Sequence, residues 1–169
     1  LEFRRVLFRS RVLATAGGPE KVAMLRDLGV EVAIDYRAED FVEVVKAATG
    51  GAGADVIFDP VGGHTFDRSR KCIAFEGRLL VIGFTSGRIP EAPANHALVK
   101  NYSVVGVHWG LYNTKQPERV REIHGDLVDL HARGAIRPLV HEVITLDEVP
   151  AALTRLAARG TTGKVVWAR

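Results

Sequence analysis

In 169 residues the chain has a single cysteine and a single methionine. A lone thiol, Cys72, excludes an internal disulfide and any cysteine-rich zinc site built within this chain. No apolar run approaches the ~20 residues a bilayer-spanning helix requires. No charged leader with an apolar core and small-residue cleavage site opens the sequence, so a cytoplasmic location and no membrane partner are expected. The formal charge is only +3, and part of it sits at the start, where Arg4, Arg5 and Arg9 outweigh Glu2. Beyond that start no basic stripe with interleaved aromatics is found, so no nucleic-acid partner is expected. No internal repeat or low-complexity segment is present.

What is there begins at Arg11–Lys21, RVLATAGGPEK. A short β-forming run, Val12 to Thr15, is closed by Gly17-Gly18, and Pro19 opens a helical pattern with Val22, Leu25 and Leu28 on one side and Gly29 as its stop. Strand, glycine turn, helix is the reading. A glycine pair there lets the backbone pass close to a ligand at the carboxyl end of a sheet. Lys21, a cation in the first helical turn, suits that place when an anion meets it; a solvated lysine is the alternative.

The alternation continues. Glu31–Tyr36 reads as a strand and Asp40–Thr49 as a helix ended by Gly50-Gly51. Asp55–Asp59 reads as a strand covered on both faces, on its run Val56-Ile57-Phe58. After the turn DPVGG come a helix at Thr65–Phe75 stopped by Gly77, a strand at Arg78–Gly83, a short helix at Asn95–Lys100 and a strand at Tyr102–Val107. VGVHWG then reads as a loop and Pro117–Arg133 as a helix. The last stretch reads as a β-α-β tail: a strand near Leu139–Ile144, a capping box at Thr145 to Glu148, a helix to about Arg159 and a strand at Lys164–Trp167. This is the pattern of an α/β fold with a doubly wound parallel sheet.

The sheet is expected to be incomplete. The dinucleotide fold orders its strands 3-2-1-4-5-6, with the first strand and its G-x-G-x-x-G turn at the centre, and this chain contains no such motif. If Arg11–Thr15 is the second strand, a parallel predecessor needs a crossover of about a dozen residues. Instead LEFRRVLFRS abuts Arg11 directly. Residues 1–10 read as a non-native leader, with a native strand at Phe3–Phe8 as the alternative. Residues 11–135 are then a partial Rossmann domain, residues 136–169 a C-terminal segment returning to another domain, and the whole a C-terminal fragment of a larger protein.

Taken in order, ATAGGPEK, LG, IDYRAEDF, DVIFDPVGG, GRLLVIGFTSG, VGVHWG and TTGKVV resemble the zinc-independent NADPH:quinone oxidoreductases of the medium-chain dehydrogenase/reductase superfamily. The resemblance runs from Arg11 to the end. It implies NADPH as cofactor, a quinone or other electron-poor enone as substrate, and a preceding catalytic domain of GroES-like fold. Lys21 and Tyr36 then fall at the site of the 2′-phosphate, beside Gly17 and Gly18, with Arg37 either sharing the phosphate or solvated. The residues agree physically: the end of the second strand, where a carboxylate usually holds a free ribose 2′-hydroxyl, reads Ala16-Gly17. Val61-Gly62 and Ile82-Gly83-Phe84 look like the turns beside the adenosine and nicotinamide ribose. Val107, His108 and Trp109 fall where the family places the nicotinamide, His108 serving as proton donor or as a packing side chain. Gly163-Lys164 resembles the C-terminal segment that reaches back to that ring.

No catalytic or metal-ligating residue is assigned. Ser69, His64 and Asp67 are close in sequence but make no triad, and His124 and His131 share a helix face without a third ligand. Alternatives are an enoyl-thioester reductase or zinc alcohol dehydrogenase of the same superfamily, and a non-enzymatic nucleotide-binding or interaction module. The apolar edge strand Tyr102–Val107 is expected to pair with its two-fold mate in a homodimer.

Overall fold

The computed structural model describes residues 10–169; the leader read at 1–10, with its alternative strand, lies outside them apart from Ser10. The described chain divides into two compact units, 10–121 and 122–169.

The first unit alternates strands and helices. They are β1 (Leu13–Ala16), α1 (Pro19–Asp27), β2 (Val32–Asp35), α2 (Phe41–Ala48), β3 (Ala54–Asp59), α3 (Gly63–Ser69), β4 (Ile73–Val81), α4 (Ala94–Lys100), β5 (Ser103–Gly106) and α5 (Trp109–Lys115). All strand pairs are parallel, but the strands form two sheets, β1-β2 and β3-β4-β5. That division is the expected empty slot: among the described residues nothing pairs with β3 on its side away from β4.

Each element has a local cause. Pro19 supplies the preset φ of a first helical turn. Asp40 caps α2, its carboxylate accepting from the Val42 amide at 2.9 Å. The sheet and α2 bury Ile34, Phe41, Val42, Val45 and Cys72 together, and a second cluster gathers Phe66, Ile73, Leu79 and Tyr102. Each such large side chain contributes about 1.5–3 kcal/mol by leaving water. Burial also pushes the Cys72 thiol up and the Tyr102 phenol up.

Three expectations are corrected. The helix drawn at Thr65–Phe75 ends at Ser69, and β4 starts at Ile73, well before Arg78. Ile73 pairs with Ala54, and the register then shifts so that Val56 meets Arg78. Gly77 is therefore part of a bulge and not a helix stop. A Cβ there would lie 2.9 Å from the Ala74 carbonyl and the Ile73 side chain. Second, VGVHWG is not all loop, because Trp109 opens α5. Third, β3 is not covered on both faces: Val56 and Phe58, two apart and so on one face, are 51% and 66% exposed.

The helix α6 (Pro117–Ala132) runs across the boundary between the units, and none of its residues is buried. The second unit then continues through β6 (Val140–Ile144), a 3₁₀ turn at Leu146–Glu148, α7 (Val149–Ala157) and β7 (Lys164–Trp167), with β6 and β7 parallel. This is the expected β-α-β tail. Its capping residue works as anticipated: the Glu148 carboxylate accepts from the Thr145 amide at 2.8 Å and hydroxyl at 2.9 Å, which holds it below the usual carboxylate range.

Candidate functional site

The carboxyl ends of β1 and β2 meet in register, Ala16 opposite Asp35. The residues just beyond them, Gly17-Gly18 and Tyr36-Arg37, are therefore neighbours. A Cβ built on Gly17 would lie 2.6 Å from the Tyr36 hydroxyl and 2.9 Å from Arg37 Nε. Two polar side chains thus lie directly over the glycine, and Lys21 stands in the first turn of α1, which follows. Arg37, left open in the sequence, joins this cluster. Asp35 joins it too, and nothing in its sequence position announced that. Its Oδ1 accepts from the amides of Gly18 and Arg37, both at 3.0 Å. These two bonds, led by that of Gly18, hold the carboxyl below its usual range.

The carboxyl ends of β4 and β5 open a cavity of about 590 Å³. Ile82, Gly83, Phe84, Val107 and His108 all line it, so five positions from two separate sequence motifs converge on one space. Its other wall is Leu111, Tyr112, Lys115 and Gln116, residues of α5 and its cap, a stretch to which the sequence reading assigns no element. Trp109 does not line the cavity; it stacks on Tyr112, ring centroids 5.4 Å apart. The lining contains one lysine and no carboxylate, which suits an anionic occupant.

Val61 and Gly62 sit at the end of β3, fastened by Asp59. That residue is 3% exposed. Its Oδ1 accepts from the Val61 amide at 2.8 Å and the Gly62 amide at 3.0 Å, while its Oδ2 has no hydrogen-bond partner among the described residues. Gly62 has φ +68°, and a Cβ on it would stand 2.9 Å from the Phe84 ring. Glycine is what lets these two turns touch. Gly163 and Lys164 belong to the second unit, where they line a separate cavity of about 360 Å³ with Ile144, Leu153 and Trp167.

Ser69 is buried and Asp67 pairs with Arg88 and Arg70, so these side chains are committed to packing and ion pairs. Among the described residues no group of three or more His, Cys, Asp or Glu could hold a metal ion. No described helix is long and apolar enough to cross a membrane.

Parallel strands that present glycine turns and a cavity at their carboxyl ends are the arrangement in which open α/β sheets bind ligands. The model of the zinc-binding dehydrogenase family matches residues 7–125. The chain belongs to this family. Among curated relatives, a quinone oxidoreductase-like protein 2 homolog of Nematostella vectensis is 37% identical over 161 residues, 95% of this chain and 44% of its own length. The quinone oxidoreductase-like protein 2 of Bos taurus is 32% identical over 160 residues, 95% of this chain and 46% of its own. Among solved structures, the quinone oxidoreductase of Pseudomonas syringae pv. Tomato DC3000 superposes with a TM-score of 0.87 at 25% identity, over 99% of this chain and 51% of that one. A mycobacterial protein complexed with NADPH superposes with a TM-score of 0.84 at 30% identity, over 99% of this chain and 52% of that one. The chain thus spans about half the length of the relatives it matches. These matches bear out the resemblance drawn from the motifs and the Rossmann-type reading of the parallel sheets.

Proposed function

We propose that this chain is the cofactor-binding part of an NADPH-dependent oxidoreductase that delivers hydride to a quinone or another electron-poor enone. The observation that carries the reading is the convergence of Ile82, Gly83, Phe84, Val107 and His108 on one cavity at the ends of β4 and β5. Its volume falls in the range of roughly 300–1,000 Å³ usual for ligand sites. The residues present also fit a nucleotide cofactor in chemistry. Gly17 and Gly62 give close backbone approach at two strand ends. Tyr36, Arg37 and Lys21 bring a hydroxyl and two cations to the first of those ends, where a 2′-phosphate would be held. A carboxylate that would select a free 2′-hydroxyl is absent from Ala16-Gly17.

When bound, NADPH supplies a hydride at its nicotinamide ring. The chain's own residues bind, orient and shield. Val107 and His108, which line the cavity, would lie beside a bound nicotinamide, Phe84 and Leu111 would exclude water, and Gly83 would allow close backbone approach. This division of labour requires no nucleophile and no metal from the chain. Gly163 and Lys164 would add to the nicotinamide end, as the family resemblance implies. The assembled protein is a cytoplasmic homodimer joined along β5, whose outer edge pairs with nothing among the described residues.

Titration of the chain with NADPH and NADH, reading energy transfer from tryptophan to the reduced nicotinamide, tests the cofactor. Saturable binding of NADPH about tenfold or more tighter than NADH is expected from one charge-assisted phosphate contact. Equal affinities, or preference for NADH, overturn the reading.

A further inference from the structure

We infer that Asp35 is the positioning residue for 2′-phosphate recognition, and that the phosphate is held by side chains because Asp35 has already taken the Gly18 amide. This rests on the NADPH reading above.

One carboxylate oxygen of Asp35 and both of its backbone polar groups are engaged. Its Oδ1 accepts from Gly18 N and Arg37 N at 3.0 Å each. Its carbonyl accepts from the Ala38 amide at 3.0 Å and the Glu39 amide at 2.8 Å, and its own amide donates to Glu39 Oε1 at 3.2 Å. One carboxylate oxygen thus ties the turn after β1, at Gly18, to the turn after β2, at Arg37. Backbone pairing between the strands reaches the Tyr36 amide, which donates to the Ala16 carbonyl at 3.1 Å, and the Asp35 oxygen carries the link on to Gly18 and Arg37. The tie fixes the Gly18 turn against the point where Arg37 leaves the sheet, and with the Tyr36 amide held by Ala16 it keeps the Tyr36 hydroxyl and Arg37 Nε over Gly17.

Two consequences follow for an incoming phosphate. Gly18 precedes α1, and its N–H is of the kind that meets anions at a helix start. Here it already serves the carboxylate and is withdrawn from the phosphate, and Lys21, Tyr36 and Arg37 are the side-chain donors at this end. The carboxylate itself would repel a phosphate, but two amide dipoles point at its inner oxygen and offset that charge. Asp35 therefore enforces selectivity through geometry. It acts by holding the donors and makes no contact with the phosphate.

The test compares Asp35→Ala with Asp35→Asn in the full chain, measuring dissociation constants for NADPH and NADH in parallel. Asparagine keeps an acceptor oxygen at the same place and alanine removes it. For Asp35→Ala the preference for NADPH over NADH is expected to fall roughly tenfold or more, NADPH losing more affinity than NADH, and Asp35→Asn is expected to restore most of it. If the alanine variant keeps the wild-type preference, or the asparagine variant loses as much as alanine, the inference is overturned while the cofactor reading stands. If the wild-type chain has no preference for NADPH, the cofactor reading itself fails and the inference goes with it. Amide exchange in the wild type gives a second measurement that needs no variant to fold. The Gly18 and Arg37 amides are expected to be protected equally with and without 2′,5′-ADP; a Gly18 amide that becomes protected only with the ligand refutes the assignment.

Discussion

Replacing Gly17 by alanine separates recognition from folding. Gly17 does not use the left-handed backbone region, so alanine meets no strain in φ, and the stiffer unfolded chain favours the variant by about 0.4–1 kcal/mol. The new methyl, however, would sit 2.6 Å from the Tyr36 hydroxyl and 2.9 Å from Arg37 Nε. Both contacts are with the far ends of side chains, and Tyr36 is 42% exposed, so its ring can swing outward at small cost to stability. What is lost is the phosphate contact. One charge-assisted hydrogen bond contributes about 1.5–3 kcal/mol, which weakens NADPH binding by roughly 10- to 150-fold. NADH, with no 2′-phosphate, is expected to bind as before. Fluorescence titration with both nucleotides and a thermal melt of the same samples supply the three quantities needed. Unchanged NADPH affinity, or an equal loss for NADH, would refute the placement of the phosphate over Gly17.

The same substitution at Gly53 should do the opposite. There φ is +89° and the added Cβ would meet only backbone, 2.7 Å from the Cys72 carbonyl oxygen and 2.8 Å from the Ile73 carbonyl carbon. Left-handed strain and overpacking together cost about 2–5 kcal/mol, visible as a lower urea midpoint; a variant as stable as wild type would contradict the close approach of the loop before β3 to β4. His96 lies against Tyr102, 3.3 Å from its hydroxyl, and burial, then Arg70 and Lys100, push its imidazole below the ordinary range. A folded value below the unfolded one means that neutral His96 contributes fully above about pH 6.5 and that this stability is lost as pH falls further. Melting temperature should therefore decline between pH 7 and 5, less steeply in His96→Gln; identical slopes would remove His96 as a cause. Along β5, Val105→Glu places a charge in the strand expected to pair with a second copy, so sedimentation should find a monomer, and an unchanged dimer would exclude this edge.

Much of the fold was legible because its signals are local. Pro19 and Asp40 mark helix starts through their own φ and side chain, and the apolar runs at Leu79–Ile82 and Val104–Val105 mark strands by composition. The corrected boundaries have the same origin in reverse. Ile73 and Ala74 look helical beside Ser69, yet pairing with β3 makes them strand, and Gly77 looks like a helix stop until the register shift makes it a bulge. Trp109 to Lys115 follows a glycine-bounded run and precedes a proline, so its helix carried only seven residues of weak pattern. That omission hid Tyr112 and Lys115 from the cavity wall.

For the site, the sequence by itself determined which residue types are present: glycines at strand ends, a lysine in a first helical turn, a tyrosine and arginine after the second strand, a histidine after the last. It also determined that the strands run parallel, because each pair is separated by a helical crossover. Only the tertiary structure decided that Tyr36 and Arg37 lie over Gly17, that one oxygen of Asp35 joins the turns at Gly18 and Arg37, and that the ends of β4 and β5 share one cavity. Those facts depend on sheet register and on packing between distant segments, and neither is encoded in any single stretch of the chain.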